Sequence, residues 1–397
     1  MSHPGQILII GEFRFPEGDA ASIRTMSLAR VCRDLGFSMT VIGKGQLRRK
    51  DYESDLQGYY IEGIRYETMN PAPITSRQRL LRPLSRILLS ASTLESLNTN
   101  DTRAIIINAC DSARHVPFVS AFCKRKSIPL IADVCEWYDP RQMAYGRLNP
   151  AYYIFSAVFH YYLPRLRNFI VVSKLLERQF TGKGRNVMRI AAPFDVANVA
   201  CSDKTPKDRL VLLYAGMAGR KDLLREVIVA LARLSSDERS RIEFRLLGPT
   251  KQDLLSLLGK SAGVLNLLGD TVKPLGRVSR EEVLQALQSA HFTILLRPDM
   301  RYANAGFPSK VAESLAAGTP VLLNFTSDLA EYLGDGAAAL EIHDCSLPEV
   351  TRAIRRALQL TPTELLGLRR GARAKAEQLF DYRIYLESFR LFLGRLR

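Results

Sequence analysis

Short apolar runs alternate with helix-spaced apolar positions along almost the whole chain. Ile7 to Ile10 reads as a buried strand closing on Gly11. Beyond it Leu28, Val31 and Leu35 recur at spacings of three and four, one face of a helix, and Gly36 stops that helix before a second strand, Met39 to Ile42. Ala104 to Ile107, Leu130 to Ala132 and Phe169 to Val172 are further buried strands. The alternation pauses between Pro193 and Asp208, a polar stretch with Lys204, Pro206 and Lys207, and then restarts. Leu210 to Tyr214, Phe244 to Leu247, Phe292 to Leu296 and Val321 to Leu323 are strands. Between them lie a helix over Leu223 to Leu234, one that Ser279 and Glu282 open with a capping box, and one from about Ser309 to Gly318.

Strands alternating with helices imply right-handed crossovers and parallel sheets. The pattern predicts an α/β chain of two Rossmann-like domains, residues 1–200 and 205–378, followed by a C-terminal helix over 379–397. Tyr385, Phe389 and Leu393 repeat every four residues in that helix, so one face must be buried. In such sheets ligands bind beyond the carboxyl ends of the strands, and two sets of strand ends can face one central cleft.

The 397 residues are too many for one ordinary core and suit two. Hydrophobic residues at 47% and charged residues at 24% are the balance of a folded globular protein. No run reaches the roughly 18 to 20 apolar residues a membrane span needs, and Ala151 to Leu163, though apolar and aromatic, is far too short. Met1 to Gln6 lacks a signal-peptide layout, so a cytoplasmic location is expected. None of the six cysteines is paired as Cys-x-x-Cys, and no spacing suggests a metal site or a disulfide framework. A net charge of +16 calls for an anionic partner. Nucleic-acid motifs are absent. Arg77 to Ser92 instead sets Leu80, Leu81, Leu84, Ile87 and Leu88 beside Arg77, Arg79, Arg82 and Arg86. That layout suits a helix lying on an anionic membrane and equally one covering the core with its arginines solvated.

Two segments concentrate the candidate chemistry. In Arg297 to Asp328, a loop with Asn304, Gly306, Phe307 and Pro308 enters a helix at Ser309. Free N–H groups and the dipole at a helix start favour a phosphate. Glu313, about one turn further, can accept hydrogen bonds from ribose hydroxyls. Spacing alone fits equally well a shaped loop and a solvated glutamate. In Tyr214 to Leu223, a strand runs through Gly216 and Gly219 to Arg220 and Lys221, which are placed to neutralise a diphosphate or simply to be solvated. Asp133 and Glu136 directly follow a buried strand and are candidates for positioning or deprotonating a hydroxyl group, with loop anchoring by Trp137 as the alternative. His115 follows Asp111, but nothing in the spacing fixes a role for it. His160 reads as packed among aromatic residues.

With Pro308, Lys310, Glu313, Ala316, Gly318, Pro320 and Val321 in register, and a glycine-rich strand end followed by a basic pair, the chain resembles the GT-B fold glycosyltransferases, specifically family 4. The likeness is strongest from 210 to 335. It implies a nucleotide-sugar donor domain in the C-terminal half, with Gly216, Arg220, Lys221, Gly306, Phe307, Pro308, Ser309, Lys310 and Glu313 around the donor. It further implies an N-terminal acceptor domain, a C-terminal helix packed back on that domain, retention of anomeric configuration, and no bound metal or cofactor. The nucleotide sugar is the co-substrate, and the acceptor is a saccharide or lipid-linked saccharide. Gly11 to Arg24 resembles the family's first loop, which places Asp19, Ser22 and Arg24 near the phosphates and acceptor, although Asp19 and Ser22 also read as helix caps. The family's first paired glutamate is replaced by Ala305. A nucleotide-sugar epimerase on the same fold and a non-catalytic nucleotide-binding module of a membrane assembly are the alternative functions.

Overall fold

Strand β1 (Gln6–Ile10) is buried at all five positions, because parallel neighbours flank it and helices cover both faces. The computed structural model describes residues 4–16, 18–44, 53–55, 58–69, 89, 91–97, 100–110, 112–201, 209–217, 219 and 221–396. The Arg77 to Arg86 cluster and Arg220 lie outside the described residues. The chain divides into two compact units. One comprises Met1–Pro140, Ala144–Pro193 and Tyr382–Arg397, and the other Arg141–Met143 and Phe194–Asp381.

In the first unit, β2 (Ser38–Gly43), β3 (Glu53–Asp55), β4 (Gly58–Ile61), β5 (Ile64–Thr68), β6 (Thr102–Asn108), β7 (Leu130–Val134), β8 (Asn168–Val171) and β9 (Asn186–Arg189) join β1 in one sheet. Its order is β3-β4-β5-β2-β1-β6-β7-β8-β9. β3, β4 and β5 run antiparallel at one edge, and every other pairing is parallel. Helix Leu386–Gly394 belongs to this unit. Phe389, Phe392 and Leu393 are buried in the core that Ile7, Ile9, Leu28 and Val31 build. The hydroxyl of Tyr382 reaches Asp34 at 2.9 Å and ties the segment to the first helix.

In the second unit, β10 (Leu210–Ala215), β11 (Ile242–Leu247), β12 (Val272–Gly276), β13 (Phe292–Leu295), β14 (Val321–Leu323) and β15 (Ala339–Glu341) pair in parallel, in the order β12-β11-β10-β13-β14-β15. The direction of winding reverses between β10 and β13, and the strand ends there form the crevice where ligands of doubly wound sheets bind. The unit's chain enters and leaves side by side, with the Phe194 N–H donating to the Phe380 carbonyl at 2.8 Å.

Part of the chain's positive charge is used internally. Arg369, on helix Pro362–Leu379, is fully buried and donates to the carbonyls of Ala290 (2.8 Å) and Gln288 (3.0 Å), at the end of helix Arg280–Ser289. Arg373, one turn on, donates at 2.7 Å to the Ala316 carbonyl, the last residue of helix Ser309–Ala316, and at 2.7 Å to Val199. Cations at helix carboxyl ends satisfy orphan carbonyls and oppose the dipole. The two helices bearing Arg280 and Glu313 are thus stapled from behind.

Phe389→Ala should destabilise the first unit by about 3–5 kcal/mol, the usual cost of deleting a buried ring. Urea melts followed by proteolysis of each unit check this. Loss confined to the second unit, or no loss, contradicts the packing described.

Candidate functional site

The reversal point of the second sheet gathers charged groups on apolar strands. β10 ends at Ala215, and Gly216 turns the chain with its N–H donating to Leu247 at 2.9 Å. The turn needs bare backbone beside it. Gly248, at φ +111°, lies so close that a Cβ there would stand 2.2 Å from the Gly216 carbonyl oxygen. The loop ends at Leu223, whose N–H donates to Leu296 beyond β13 at 2.8 Å. The intervening Asp222 is thereby held at the reversal point.

Three groups converge on the Asp222 carboxylate. Lys310 donates from Nζ at 2.6 Å, Arg297 from Nε at 3.0 Å, and the Tyr214 hydroxyl lies 2.9 Å away. The Lys310 ammonium also sits 4.4 Å from the centroid of the Tyr214 ring, a cation–π distance. Arg297 is fixed by Asn324, which accepts from its N–H at 2.9 Å and donates to its carbonyl at 2.8 Å. Burial alone would raise the Asp222 carboxyl. The Lys310 and Arg297 charges outweigh burial and hold it well below the ordinary carboxylate range. Tyr214 is pushed upward, first by burial and then by the Asp222 charge, so its hydroxyl stays neutral.

Lys310 and Glu313 share helix Ser309–Ala316, one turn apart and both facing inward. Pro308 precedes the first turn with no side-chain cap, which leaves the early N–H groups for another acceptor. Glu313 is buried and ion-paired with Arg280, the first residue of its own capped helix. Phe307 packs against Tyr332 and Phe380, at centroid distances of 5.3 and 5.7 Å, and anchors the loop. Ala305 is fully buried. Among the predicted donor residues, the structure therefore brings together Gly216 and Lys310 around Asp222, and sets Glu313 beside Arg280. Lys221 is half-buried at the loop's end, and Arg220 lies outside the described residues. Sequence reasoning missed Asp222, Arg297, Tyr214 and Arg280. Arg297 directly follows an apolar run and Asp222 a glycine-containing turn, but nothing local separates them or Arg280 from solvated charges, and Tyr214 reads as an ordinary strand residue.

In the first unit, Asp19 and Ser22 form a capping box for helix Ala20–Asp34, with Asp19 accepting from the Ser22 N–H at 2.8 Å. Arg24 is buried. Its Nε and Nη2 hold Asp133 in a fork at 2.8 to 3.1 Å, and Nη1 donates to the carbonyls of Ile190 (2.9 Å) and Ala191 (3.1 Å). Burial works against the guanidinium charge, and Asp133 more than restores it, so Arg24 remains charged. Both Asp133 oxygens are engaged, and this pair clamps the first helix to the ends of β7 and β9. That geometry suits anchoring better than proton abstraction or anion binding. Glu136 has its N–H donating to the Cys110 sulfur at 3.3 Å.

Another cluster stands at the first sheet's own reversal, between β1 and β6. Glu12 is ion-paired with Lys44 and lies 3.4 Å from His115 Nδ1. His115 is buried, and neither ring nitrogen has a hydrogen-bond partner among the described residues. Burial moves its pKa downward against the opposing pull of Glu12, so the ring is neutral near pH 7. Among the described residues, no group of three or more His, Cys, Asp or Glu side chains is placed to hold a metal ion.

Comparison with known proteins agrees with this architecture. Residues 201–375 match the family described as glycosyl transferases group 1. No curated protein sequence matches the chain. Among solved structures, the chain is similar to HepE of Anabaena in complex with UDP and glucose, at 15% identity over 99% of this chain and 100% of that one, with a TM-score of 0.68. Sucrose-phosphate synthase of Thermosynechococcus elongatus superposes with a TM-score of 0.72 at 17% identity over 98% of each chain. WaaG, a glycosyltransferase involved in lipopolysaccharide biosynthesis, does so with a TM-score of 0.67 at 15% identity over 98% of this chain and 100% of that one. The two parallel-sheet units and these likenesses define the GT-B fold, and the match to the glycosyl transferases group 1 domain gives the enzyme class, a glycosyltransferase. Its second unit carries the group 1 domain, over residues 201–375.

Replacing Asp222 by Asn should cost about 1.5–3 kcal/mol near neutral pH, the range for hydrogen bonds to charged partners. Because the folded-state pKa is lowered, the carboxylate stabilises the fold above its unfolded value of about 3.9, and that contribution fades as pH falls through the folded value. Urea melts at a series of pH values should therefore show a constant wild-type advantage from neutral down to mildly acid pH, shrinking in strong acid. An advantage that does not shrink there would mean that the Asp222 charge is not its source.

Proposed function

We propose that this chain transfers a sugar from a nucleoside-diphosphate sugar to a saccharide or lipid-linked saccharide acceptor, with retention at the anomeric carbon, in the synthesis of a surface polysaccharide or glycoconjugate. The observation that carries the donor assignment is the pairing of functions on helix Ser309–Ala316. Its uncapped start and Lys310 face the reversal point where Arg297 also stands, and Glu313 lies one turn deeper. In this reading a diphosphate is met by Lys310, Arg297, Lys221, Arg220 and the backbone N–H groups of Phe307 and Ser309, with the sugar and ribose side passing Gly216 and Glu313. The complex of HepE with UDP-glucose and the lipopolysaccharide role of WaaG support a nucleotide-sugar donor and a surface-saccharide product.

As the sugar leaves, negative charge grows on the diphosphate. Preorganised cations and a helix start in a site of low dielectric stabilise that charge without reorganising. No other cofactor is assigned, because the nucleotide sugar itself supplies the leaving group. The first unit is read as the acceptor-binding domain, with Glu136 at the end of β7 and the Glu12–His115 pair at the β1–β6 reversal as its polar groups. The expected location is the cytoplasmic side of an anionic membrane, bound peripherally through residues 77–92. No helix among the described residues is long and apolar enough to cross a membrane.

Lys310→Ala should lower both the chemical rate and nucleoside-diphosphate affinity, because its partner gains charge during the reaction. Glu313→Gln should mainly weaken donor binding, because ribose hydroxyls do not change. Each loss should be roughly 10- to 150-fold. Steady-state kinetics and calorimetry, on variants whose melting confirms folding, check this. Wild-type nucleotide affinity in both removes the donor assignment. Conversion or hydrolysis of the donor with no acceptor dependence removes the transfer reaction.

A further inference from the structure

Helix Pro150–Ala157, of sequence PAYYIFSA, contains no buried residue. A segment so apolar would ordinarily lie in a core. Asn149 caps it at 3.0 Å, Pro150 starts it, and its inner side rests on aromatic stacking. Phe155 lies 4.2 Å from Tyr138, and Phe159 lies 4.4 Å from Trp137, between ring centroids. The outer side is a stripe. Tyr153, Ala157, His160, Tyr161 and Pro164 follow one another at near-helical spacing, and all are exposed. Tyr153 and Tyr161 show 60% and 58% of their surface to solvent. The loop before the helix adds Tyr145 and Leu148, exposed by 82% and 86%. Tyr145 is held at φ +63°, a left-handed conformation unusual for an aromatic residue. Four large apolar side chains thus stand outward within seventeen positions, an arrangement that marks an interaction surface rather than scattered exposure.

The charge around this face identifies the partner. From Pro140 to Leu176 the chain carries no aspartate or glutamate, while Arg147, Arg165 and Arg167 are exposed within the same segment. The Arg165 guanidinium lies 3.5 Å from the centroid of the Tyr161 ring. An apolar outer stripe flanked by arginines, too short to span, is the pattern of an element lying in the plane of an acidic bilayer. Tyrosine suits that boundary because its ring is apolar and its hydroxyl stays wet. A second copy of the chain is a poor occupant, since the same arginines would meet face to face on two chains of net charge +16.

We propose that residues 145–167 form a docking surface for an anionic lipid bilayer, with Tyr145, Leu148, Tyr153 and Tyr161 entering the headgroup boundary and Arg147, Arg165 and Arg167 meeting lipid phosphates. This rests on the membrane part of the functional reading and adds to it a second segment, separate in sequence from residues 77–92. It is independent of the donor site.

Sedimentation of the full chain tests it, using vesicles of mixed phosphatidylethanolamine and phosphatidylglycerol, with phosphatidylcholine vesicles for comparison. The wild type should bind the acidic vesicles only. Tyr153→Ser combined with Tyr161→Ser, and separately Arg147→Gln combined with Arg165→Gln, should each weaken that binding about tenfold or more. Arg178→Gln combined with Arg352→Gln removes equal charge from exposed positions elsewhere and should leave binding unchanged. Wild-type binding by the tyrosine variant overturns the proposal, as does an equal loss in the control pair. If only Arg79→Gln, Arg82→Gln and Arg86→Gln together abolish binding, membrane association stands and the 145–167 surface falls. If the wild type binds no vesicle, both fall. Self-association that the tyrosine substitutions abolish, without vesicle binding, assigns the face to a second copy and overturns the proposal as well. Nucleoside-diphosphate affinity should stay at the wild-type value in every variant, which separates this test from that of the donor site.

Discussion

A buried carboxylate between two cations sets the terms for the second unit's strand ends. Asp222 can stay ionised in so dry a position only because Lys310 and Arg297 stand at 2.6 and 3.0 Å, and those cations can approach each other only because Asp222 lies between them. The loop from Gly216 to Leu223, Arg297 just beyond β13 and the first turn of helix Ser309–Ala316 are thereby fastened to one point. A group that displaces Asp222 as the partner of Lys310 must itself be anionic, which is the chemistry required of a site for a leaving diphosphate.

Arginines carry a second, quieter constraint. Arg24, Arg369 and Arg373 spend their donors on carbonyls or a carboxylate inside their own units. They are not available to a ligand, although each adds to the chain's net charge. A formal charge of +16 therefore overstates the positive surface. What reaches solvent as a coherent basic face is local, as it is around Tyr153 and Tyr161, and charge position rather than charge total decides what the chain attracts.

The legible and illegible parts of the site differ in kind. Gly216, Lys310 and Glu313 were readable because strand ends, helix starts and a one-turn spacing are local patterns. The capping box of Asp19 and Ser22 was readable for the same reason. The pairing of Asp133 with Arg24 was not readable, because it spans 109 positions and no local pattern announces it. Asp222, Arg297 and Arg280 were silent in the sequence for the converse reason: each looks like a solvated charge until its distant partner is placed beside it. Glu12 and His115 meet only because β1 and β6 are neighbours in the sheet.

The sequence by itself determined the alternation of strands and helices, the parallel sheets, the break near residue 200 and the apolar stripe of Tyr385, Phe389 and Leu393. These follow from periodicity and backbone chemistry, which act over a few residues. Tertiary structure alone decided which charges pair, which arginines are internal staples, and that Tyr153 and Tyr161 of the aromatic run face outward while Phe159 is buried. Such outcomes depend on which strand ends become neighbours and which faces are already covered, and neither is encoded in the spacing of any single segment.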